Sequence, residues 1–255
     1  MRRLALLLTA AGLGAGCGTA PERYAAVPSA LPVLRNQFAQ GPATPPRATP
    51  QTQAEQLDGR HVIARVRRPV ILRRTPGGRS LRRIGRRTEF GSPQVLAVLE
   101  QRGGWLRVQT SRLANGRSGW IPARRVTLDA TEMSLHIDRS KRRLTLRDGD
   151  RVVRRVTIAV GRPGTETPLG RFAVTDKLRP EDPGSPYGCC AIALTGHQTK
   201  LVPGWPGGDR LAVHGTPATW SIGKAVSLGC MRAHRRDLEA LLHRVPLGTP
   251  VFIRA

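Results

Sequence analysis

The sequence predicts a mainly β protein with two folded units, a small barrel followed by a β-sandwich that carries one helix. From His61 onward, short runs of β-branched and aliphatic residues alternate with glycine and proline turns, a pattern typical of strands. The pair Asp148-Gly149 predicts a tight hairpin, because these residues tolerate the left-handed angles of such a turn. A clear helical period occurs only in the apolar residues that precede Pro246 and Gly248.

Residues 1–17 predict an export signal. Two arginines precede an apolar run from Leu4 to Leu13, and small residues follow it up to Cys17. Cys17 resembles the lipid-modified cysteine of bacterial lipoproteins, although the expected leucine lies one position too far upstream. We therefore expect an extracytoplasmic protein whose membrane contact is limited to this signal or a lipid anchor at Cys17.

Residues 18–57 predict a disordered tether, because seven prolines are spread among alanine, threonine and glutamine without a helical or strand period. A segment of this length spans roughly 35 Å as a coil and roughly 120 Å if it is extended as polyproline. Either length would hold a folded part away from the membrane and toward the cell wall.

Residues 60–128 predict a small all-β unit. The pairs Gly104-Trp105 and Gly119-Trp120 each open a strand, and they resemble the bacterial SH3-like modules found in enzymes associated with the cell wall. Both tryptophans are interpreted as core residues rather than as platforms for a ligand.

The charge is concentrated in this unit. The whole chain has 42 basic and 17 acidic residues, a net charge of +25, and residues 60–128 hold seventeen arginines against Glu89 and Glu100. Outside the cytoplasm such a charge favours anionic cell-wall polymers as partners and not nucleic acid. Two alternatives remain, that the charge only maintains solubility or follows codon bias, and that the protein binds DNA in a salt-sensitive manner.

Three cysteines remain beyond the signal, so they cannot all pair in an oxidising compartment. Cys230 stands in "SLGCMR" between Gly229 and the cation Arg232, just before the predicted helix. These three features are expected to lower the pKa of the thiol, and a thiolate is the nucleophile that acyl transfer needs. The alternative is a buried cysteine that acts as a small apolar residue.

His214 ends the predicted strand "RLAVHGT", where Gly215 lets the chain bend away. A neutral imidazole can accept the thiol proton and return it to a leaving amine. Asp237 is assigned to the first turn of the helix, so the Gly215 carbonyl is the candidate that orients the ring. The backbone N–H groups of Cys230 and Gly229 are expected to bind the oxyanion.

Four segments between residues 133 and 255 resemble the catalytic domain of the L,D-transpeptidases in their order: "VGRPGTETPLGRF", "LAVHGT", "SLGCMRAHRRDLEALL" and "PLGTPVFI". The resemblance implies that Cys230 is the nucleophile, that His214 is the base, that Gly215 supplies the orienting carbonyl and that Arg232 positions the substrate.

Ser227 and Gly229 also fit the family's pattern and are assigned to substrate binding, whereas Leu228 departs from the pattern, because many members have histidine there. Tyr187 lies in a segment rich in proline and glycine that is predicted to form one side of the cleft and contact substrate. The adjacent Cys189 and Cys190 either form a vicinal disulfide or, as we favour, pack as two reduced thiols.

The resemblance implies a two-step transfer on peptidoglycan stem peptides, with release of terminal D-alanine and a cross-link between two third-position diamino acids. No metal or other cofactor is expected, because the histidines and carboxylates show no zinc spacing. The acceptor stays open between another stem, a protein amine and a free D-amino acid. A noncatalytic cell-wall-binding protein is a further alternative; papain-like endopeptidases are disfavoured, because their cysteine precedes the histidine.

Overall fold

The computed structural model describes residues 24–26, 60–204 and 207–255, and this part of the chain is mainly β, as predicted. Strand β1 (Tyr24–Ala26) lies within the segment predicted as a tether. The rest of that segment, and the predicted signal with Cys17, lie outside the described residues.

The N-terminal unit is a seven-stranded sheet in the order β4-β3-β7-β6-β5-β2-β8. Its strands are β2 (His61–Val66), β3 (Val70–Arg73), β4 (Ser80–Ile84), β5 (Val95–Arg102), β6 (Trp105–Val108), β7 (Gly119–Pro122) and β8 (Val126–Thr131).

Aliphatic side chains from six of these strands fill the interior of the N-terminal unit. Gly103 and Gly104 form the turn between β5 and β6, with φ angles of 48° and 80° that favour glycine. Trp120 is 7% exposed and belongs to the core, whereas Trp105 is only half-buried. The similarity to an SH3-like module stays a prediction.

The C-terminal unit contains β9 (Met133–Asp138), β10 (Arg143–Asp148), β11 (Arg151–Thr157), β12 (Val160–Gly161), β13 (Gly170–Pro180), β14 (Ala191–His197), β15 (Arg210–His214), β16 (Ala225–Ser227), β17 (Met231–Arg232), helix α1 (Arg235–Arg244) and β18 (Pro250–Arg254). Its main sheet runs in the order β11-β10-β9-β18-β13-β14-β15-β17, and β1 also pairs with β13.

The long strand β13 joins the two halves of this sheet. Its first residues pair with β18 and its later residues with β14. Aliphatic side chains from both halves and from α1 enter one buried cluster, and this burial is the main source of stability for such a sandwich.

The predicted hairpin between β10 and β11 forms, but its turn is one residue further along the chain. Asp148 pairs with Arg151, so Gly149 and Asp150 are the central residues. Only Gly149 has a positive φ, of 55°. The prediction that Asp148 takes a left-handed conformation is wrong, because Asp148 still belongs to the strand ladder.

The two units pack directly against each other. Ile63 of β2 and Val95 of β5 belong to the buried cluster of the C-terminal unit. A Cβ atom on Gly248 would lie 2.8 Å from side-chain atoms of both residues, so the glycine allows this close approach. Within the described ranges, no helix is long and apolar enough to cross a membrane.

Candidate active site

The cysteine and the histidine singled out by the sequence lie at one cavity, beside two paired strands of the main sheet. Strands β15 and β17 are parallel, with Val213 opposite Met231 and His214 opposite Arg232. Cys230 directly precedes β17, at the end of the loop that leads into this strand. Both Cys230 and His214 line the same surface cavity.

His214 is buried and has a defined tautomer. Its Nδ1 lies 2.5 Å from the carbonyl oxygen of Gly215, which can only accept, so Nδ1 carries the proton. Burial lowers the pKa of His214 to about 4; the positive charge of Arg232 adds to this effect, and the hydrogen bond to Gly215 opposes it. The ring is therefore neutral near pH 7, with Nε2 free to accept a proton.

The pKa of the Cys230 thiol is raised, whereas the sequence pattern predicts that it is lowered. Burial raises its pKa, and the opposing effects of a backbone hydrogen bond from Ala212 and the charge of Arg232 are smaller. The expected lowering is wrong, because the sequence pattern gave no measure of burial. Helix α1 begins only at Arg235, with β17 in between, so its N-terminus does not follow directly on Cys230.

Ser227 organises the backbone around the cysteine. Its Oγ donates to the carbonyl oxygen of Cys230 at 2.6 Å and accepts the N–H of Gly229 at 3.1 Å. The Gly229 N–H is thus already bonded, and its expected role in an oxyanion site does not hold in this arrangement. The N–H of Cys230 remains the candidate donor.

Gly229 has a φ of +123°, and an added Cβ would lie 2.1 Å from Nε2 of Gln198. The backbone angle favours glycine, and a Cβ atom would displace the side-chain amide of Gln198. Gln198 is buried, and its Nε2 donates to the carbonyl of Leu228 at 2.9 Å. Sequence reasoning did not identify Gln198, since nothing in its local pattern marks it.

Two further supports of this loop come from the segment "GRPGTETPLGRF". Thr167 is fully buried, and its Oγ1 donates to the carbonyl oxygen of Gly229 at 2.7 Å. Thr165 donates to the carbonyl oxygen of Ser227 at 3.1 Å. These contacts give a physical reason for the two threonines in this motif.

Tyr187 lines the cavity beside the histidine. Its ring meets the ring of His214 edge-on, with centroids 4.9 Å apart. The close approach depends on Gly188, whose φ is +64° and whose added Cβ would lie 2.6 Å from the backbone nitrogen of Thr216. The segment therefore forms one side of the cavity.

Cys189 and Cys190 are free thiols in this structure. Cys190 is fully buried in the core cluster, and its carbonyl oxygen accepts the N–H of Gly215 at 3.0 Å. This contact fixes the backbone next to His214.

Arg232 also lines the cavity, and its buried Nε has no hydrogen-bond partner among the described residues.

Asp237 lies in the first turn of α1, as expected, and its Oδ1 accepts from Nη2 of Arg154 at 2.6 Å. That ion pair occupies the carboxylate, so Asp237 is not the group that orients His214. No cluster of potential metal ligands occurs within the described ranges.

These features define a class of protein: a β-sandwich with a half-buried cysteine and a buried, neutral histidine at one cavity. Residues 132–253 match the family model of the L,D-transpeptidase catalytic domain, YkuD. The chain belongs to this family.

Similar proteins agree with that assignment. The chain is 35% identical over 142 residues to a Bacillus licheniformis protein named as the L,D-transpeptidase YkuD, covering 56% of this chain and 77% of that protein. It is 38% identical over 110 residues to the protein of the same name from Bacillus subtilis, covering 43% and 58%.

Solved structures of L,D-transpeptidases are also similar. One from Mycobacterium tuberculosis aligns over 75% of this chain and 95% of its own, with a TM-score of 0.42 and 15% identity. One from Mycobacterium smegmatis aligns over 59% and 91%, with a TM-score of 0.40 and 17% identity.

Proposed function

We propose that the protein is a cysteine-dependent L,D-transpeptidase that cross-links third-position diamino acids of peptidoglycan stem peptides. The observation that carries the proposal is the parallel pairing of β15, which ends at His214, with β17, which directly follows Cys230, because both residues then line one cavity. Membership of the family supports a role in peptidoglycan cross-linking in general.

In the first step, Cys230 attacks the carbonyl carbon of the third stem residue. Nε2 of His214 accepts the thiol proton as the C–S bond forms, because the thiol's raised pKa keeps it protonated at rest. The backbone N–H of Cys230 stabilises the oxyanion. The C–N bond to D-alanine then breaks, and His214 returns the proton to the departing amine.

In the second step, a side-chain amine of a neighbouring stem attacks the thioester. A C–N bond forms, the C–S bond breaks, and the proton passes through His214 back to the sulfur. Transfer to a protein amine or to a free D-amino acid would use the same steps.

Arg232 is the cation that we assign to substrate positioning. Lys200 and Arg210 also line the cavity, but Lys200 pairs with Glu166 and Arg210 with Glu89. Arg232 has no ion pair with a carboxylate within the described part of the chain, and stem peptides carry carboxylates that a guanidinium can bind.

The N-terminal unit is assigned to retention at the cell wall through its arginines. Arg73, Arg124 and Arg125 lie with Trp105 along a shallow groove. Such a surface attracts anionic polymers without a defined sequence or structure. The proposal places the protein outside the cytoplasm, exported by residues 1–17 with Cys17 as the lipid attachment.

The test is mass spectrometry of muropeptides after incubation of peptidoglycan with the protein, beside a Cys230→Ala control. The proposal expects dimers joined between third-position residues only with the unaltered protein. Equal product patterns in the two samples would exclude a transpeptidase and leave a noncatalytic cell-wall-binding protein.

A further inference from the structure

A side chain of the N-terminal unit contacts the backbone that leads to the active site. Asn115 lies in the segment between β6 and β7, and its Nδ2 donates to the carbonyl oxygen of His197 at 2.7 Å. Its Oδ1 accepts the N–H of the same residue at 2.8 Å. Asn115 thus makes the two hydrogen bonds that a neighbouring strand would make at the end of β14.

The imidazole of His197 strengthens this attachment. Nε2 lies 2.8 Å from the carbonyl oxygen of Ser111, also in the N-terminal unit, and Nδ1 lies 2.9 Å from Oδ2 of Asp209. The backbone and the ring of His197 are therefore both held by groups that lie outside β14.

The next residue carries the contact to the nucleophile loop. The N–H of Gln198 donates to the carbonyl oxygen of Asp209 at 2.6 Å. Its Nε2 donates to the carbonyl oxygens of Leu228 at 2.9 Å and of Thr165 at 3.1 Å. The side-chain amide fills the space beside Gly229, directly before Cys230.

We infer that Asn115 is a positioning residue for acyl transfer: it fixes His197 and Gln198, and Gln198 fixes the loop that presents Cys230. The inference rests on the proposed function. It gives the N-terminal unit a role in the reaction itself, because a shift of about 1 Å in a reacting group can cost roughly 100-fold in rate.

Gln109 offers a matched control. It is also a side-chain amide of the N-terminal unit, and its Nε2 donates across the same interface to the carbonyl oxygen of Arg171 at 2.7 Å. Arg171 lies in β13 and pairs with Phe252 of β18, and β13 is separated from β15 by β14 in the sheet order. Loss of docking between the units would affect both variants equally, whereas loss of positioning would affect only Asn115→Ala.

The experiment measures two rates on Cys230 in the full-length protein. Acylation by a carbapenem passes through an oxyanion and needs the loop geometry, whereas alkylation by iodoacetamide displaces iodide and forms none. Mass spectrometry of the Cys230 peptide separates it from Cys189 and Cys190. We expect Asn115→Ala to slow acylation by about 10- to 100-fold and to leave alkylation within about 2-fold.

Two further variants complete the test. Gln198→Ala is expected to slow acylation to a similar degree, and the double variant to be no slower than the slower single variant, since both act through one chain of contacts. Asn115→Asp keeps the acceptor for the His197 N–H and loses the donor. It replaces Asn115→Ala if that variant does not fold, and its acylation rate is expected to lie between those of the unaltered protein and Gln198→Ala.

The inference is overturned if Asn115→Ala acylates at the rate of the unaltered protein, if Gln109→Ala is slowed equally, or if the effects of Asn115→Ala and Gln198→Ala multiply. These outcomes leave the proposed function intact. An unaltered protein that is not acylated on Cys230 would instead contradict the proposed function.

Discussion

His214 donates from Nδ1 to the carbonyl oxygen of Gly215 at 2.5 Å, and this contact leaves Nε2 as the basic nitrogen. A backbone carbonyl thus takes the place that a carboxylate holds in a three-residue catalytic arrangement. An uncharged partner does not stabilise an imidazolium as a carboxylate would, which agrees with the low pKa of the buried ring.

The first prediction concerns the pH dependence of acylation. Because burial lowers the pKa of His214 to about 4, the base stays neutral above that pH and becomes protonated below it. The single-turnover rate of carbapenem acylation should stay level from neutral pH down to about 5 and fall as the pH passes through about 4. Tryptophan fluorescence checks that the protein stays folded. A midpoint near that of an unperturbed histidine would contradict the assignment.

The second prediction concerns Gly188. Both Gly188 and Gly149 have a positive φ, but an added Cβ on Gly149 meets nothing within 4 Å, whereas on Gly188 it meets the backbone of Thr216 at 2.6 Å. We expect Gly149→Ala to cost about 1 kcal/mol of unfolding free energy and Gly188→Ala about 2–4 kcal/mol. Urea unfolding measures both free energies. Equal losses would show that the backbone of Thr216 does not lie tightly against Gly188.

The third prediction concerns Thr167, whose buried hydroxyl accepts the N–H of Gly161 at 3.0 Å and donates to the carbonyl oxygen of Gly229 at 2.7 Å. Thr167→Val keeps the shape but leaves both partners unsatisfied, at a cost of about 1–3 kcal/mol. It should also slow the acylation of Cys230. Thr167→Ser retains the hydroxyl and should keep most of the unfolding free energy and of the acylation rate. Equal values for the two variants would argue against a role of the hydroxyl in supporting the loop.

The fourth prediction concerns the arginines of the N-terminal unit. Replacing Arg124 and Arg125 with serine should weaken cosedimentation with purified peptidoglycan that carries anionic polymers, and should flatten its dependence on NaCl concentration. The control replaces the exposed Arg236 and Arg244 in the C-terminal unit, which changes the net charge equally. Equal weakening in both would mean that total charge, and not this surface, determines retention.

Strand positions were predictable from sequence where short apolar runs end at glycines and prolines. The apolar residues of β13, β14, β15 and β18 form such runs, most of these residues are buried, and the structure confirms strands there. The period before Pro246 likewise located the helix, because an amphipathic helix repeats every three to four residues.

The surroundings of the site were less predictable, because they depend on contacts distant in sequence. Gln198 reaches Leu228 from thirty residues away, and Asn115 reaches His197 from 82. No local period records such contacts. The prediction that the pKa of the Cys230 thiol is lowered was wrong for a related reason. Burial, which raises this pKa, is a property of the whole fold, whereas the residues next to Cys230 in the sequence indicated only the local charge.

The most direct test of the account is whether Cys230 forms the acyl-enzyme. The protein is mixed with a stem tetrapeptide that ends in D-alanine, quenched in acid, and examined by intact and peptide mass spectrometry. We expect an adduct of the acyl tripeptide on Cys230, stoichiometric release of D-alanine, the same adduct in Cys189→Ala and none in Cys230→Ala. An adduct that persists in Cys230→Ala, or that lies on Cys189, would contradict the assignment of the nucleophile.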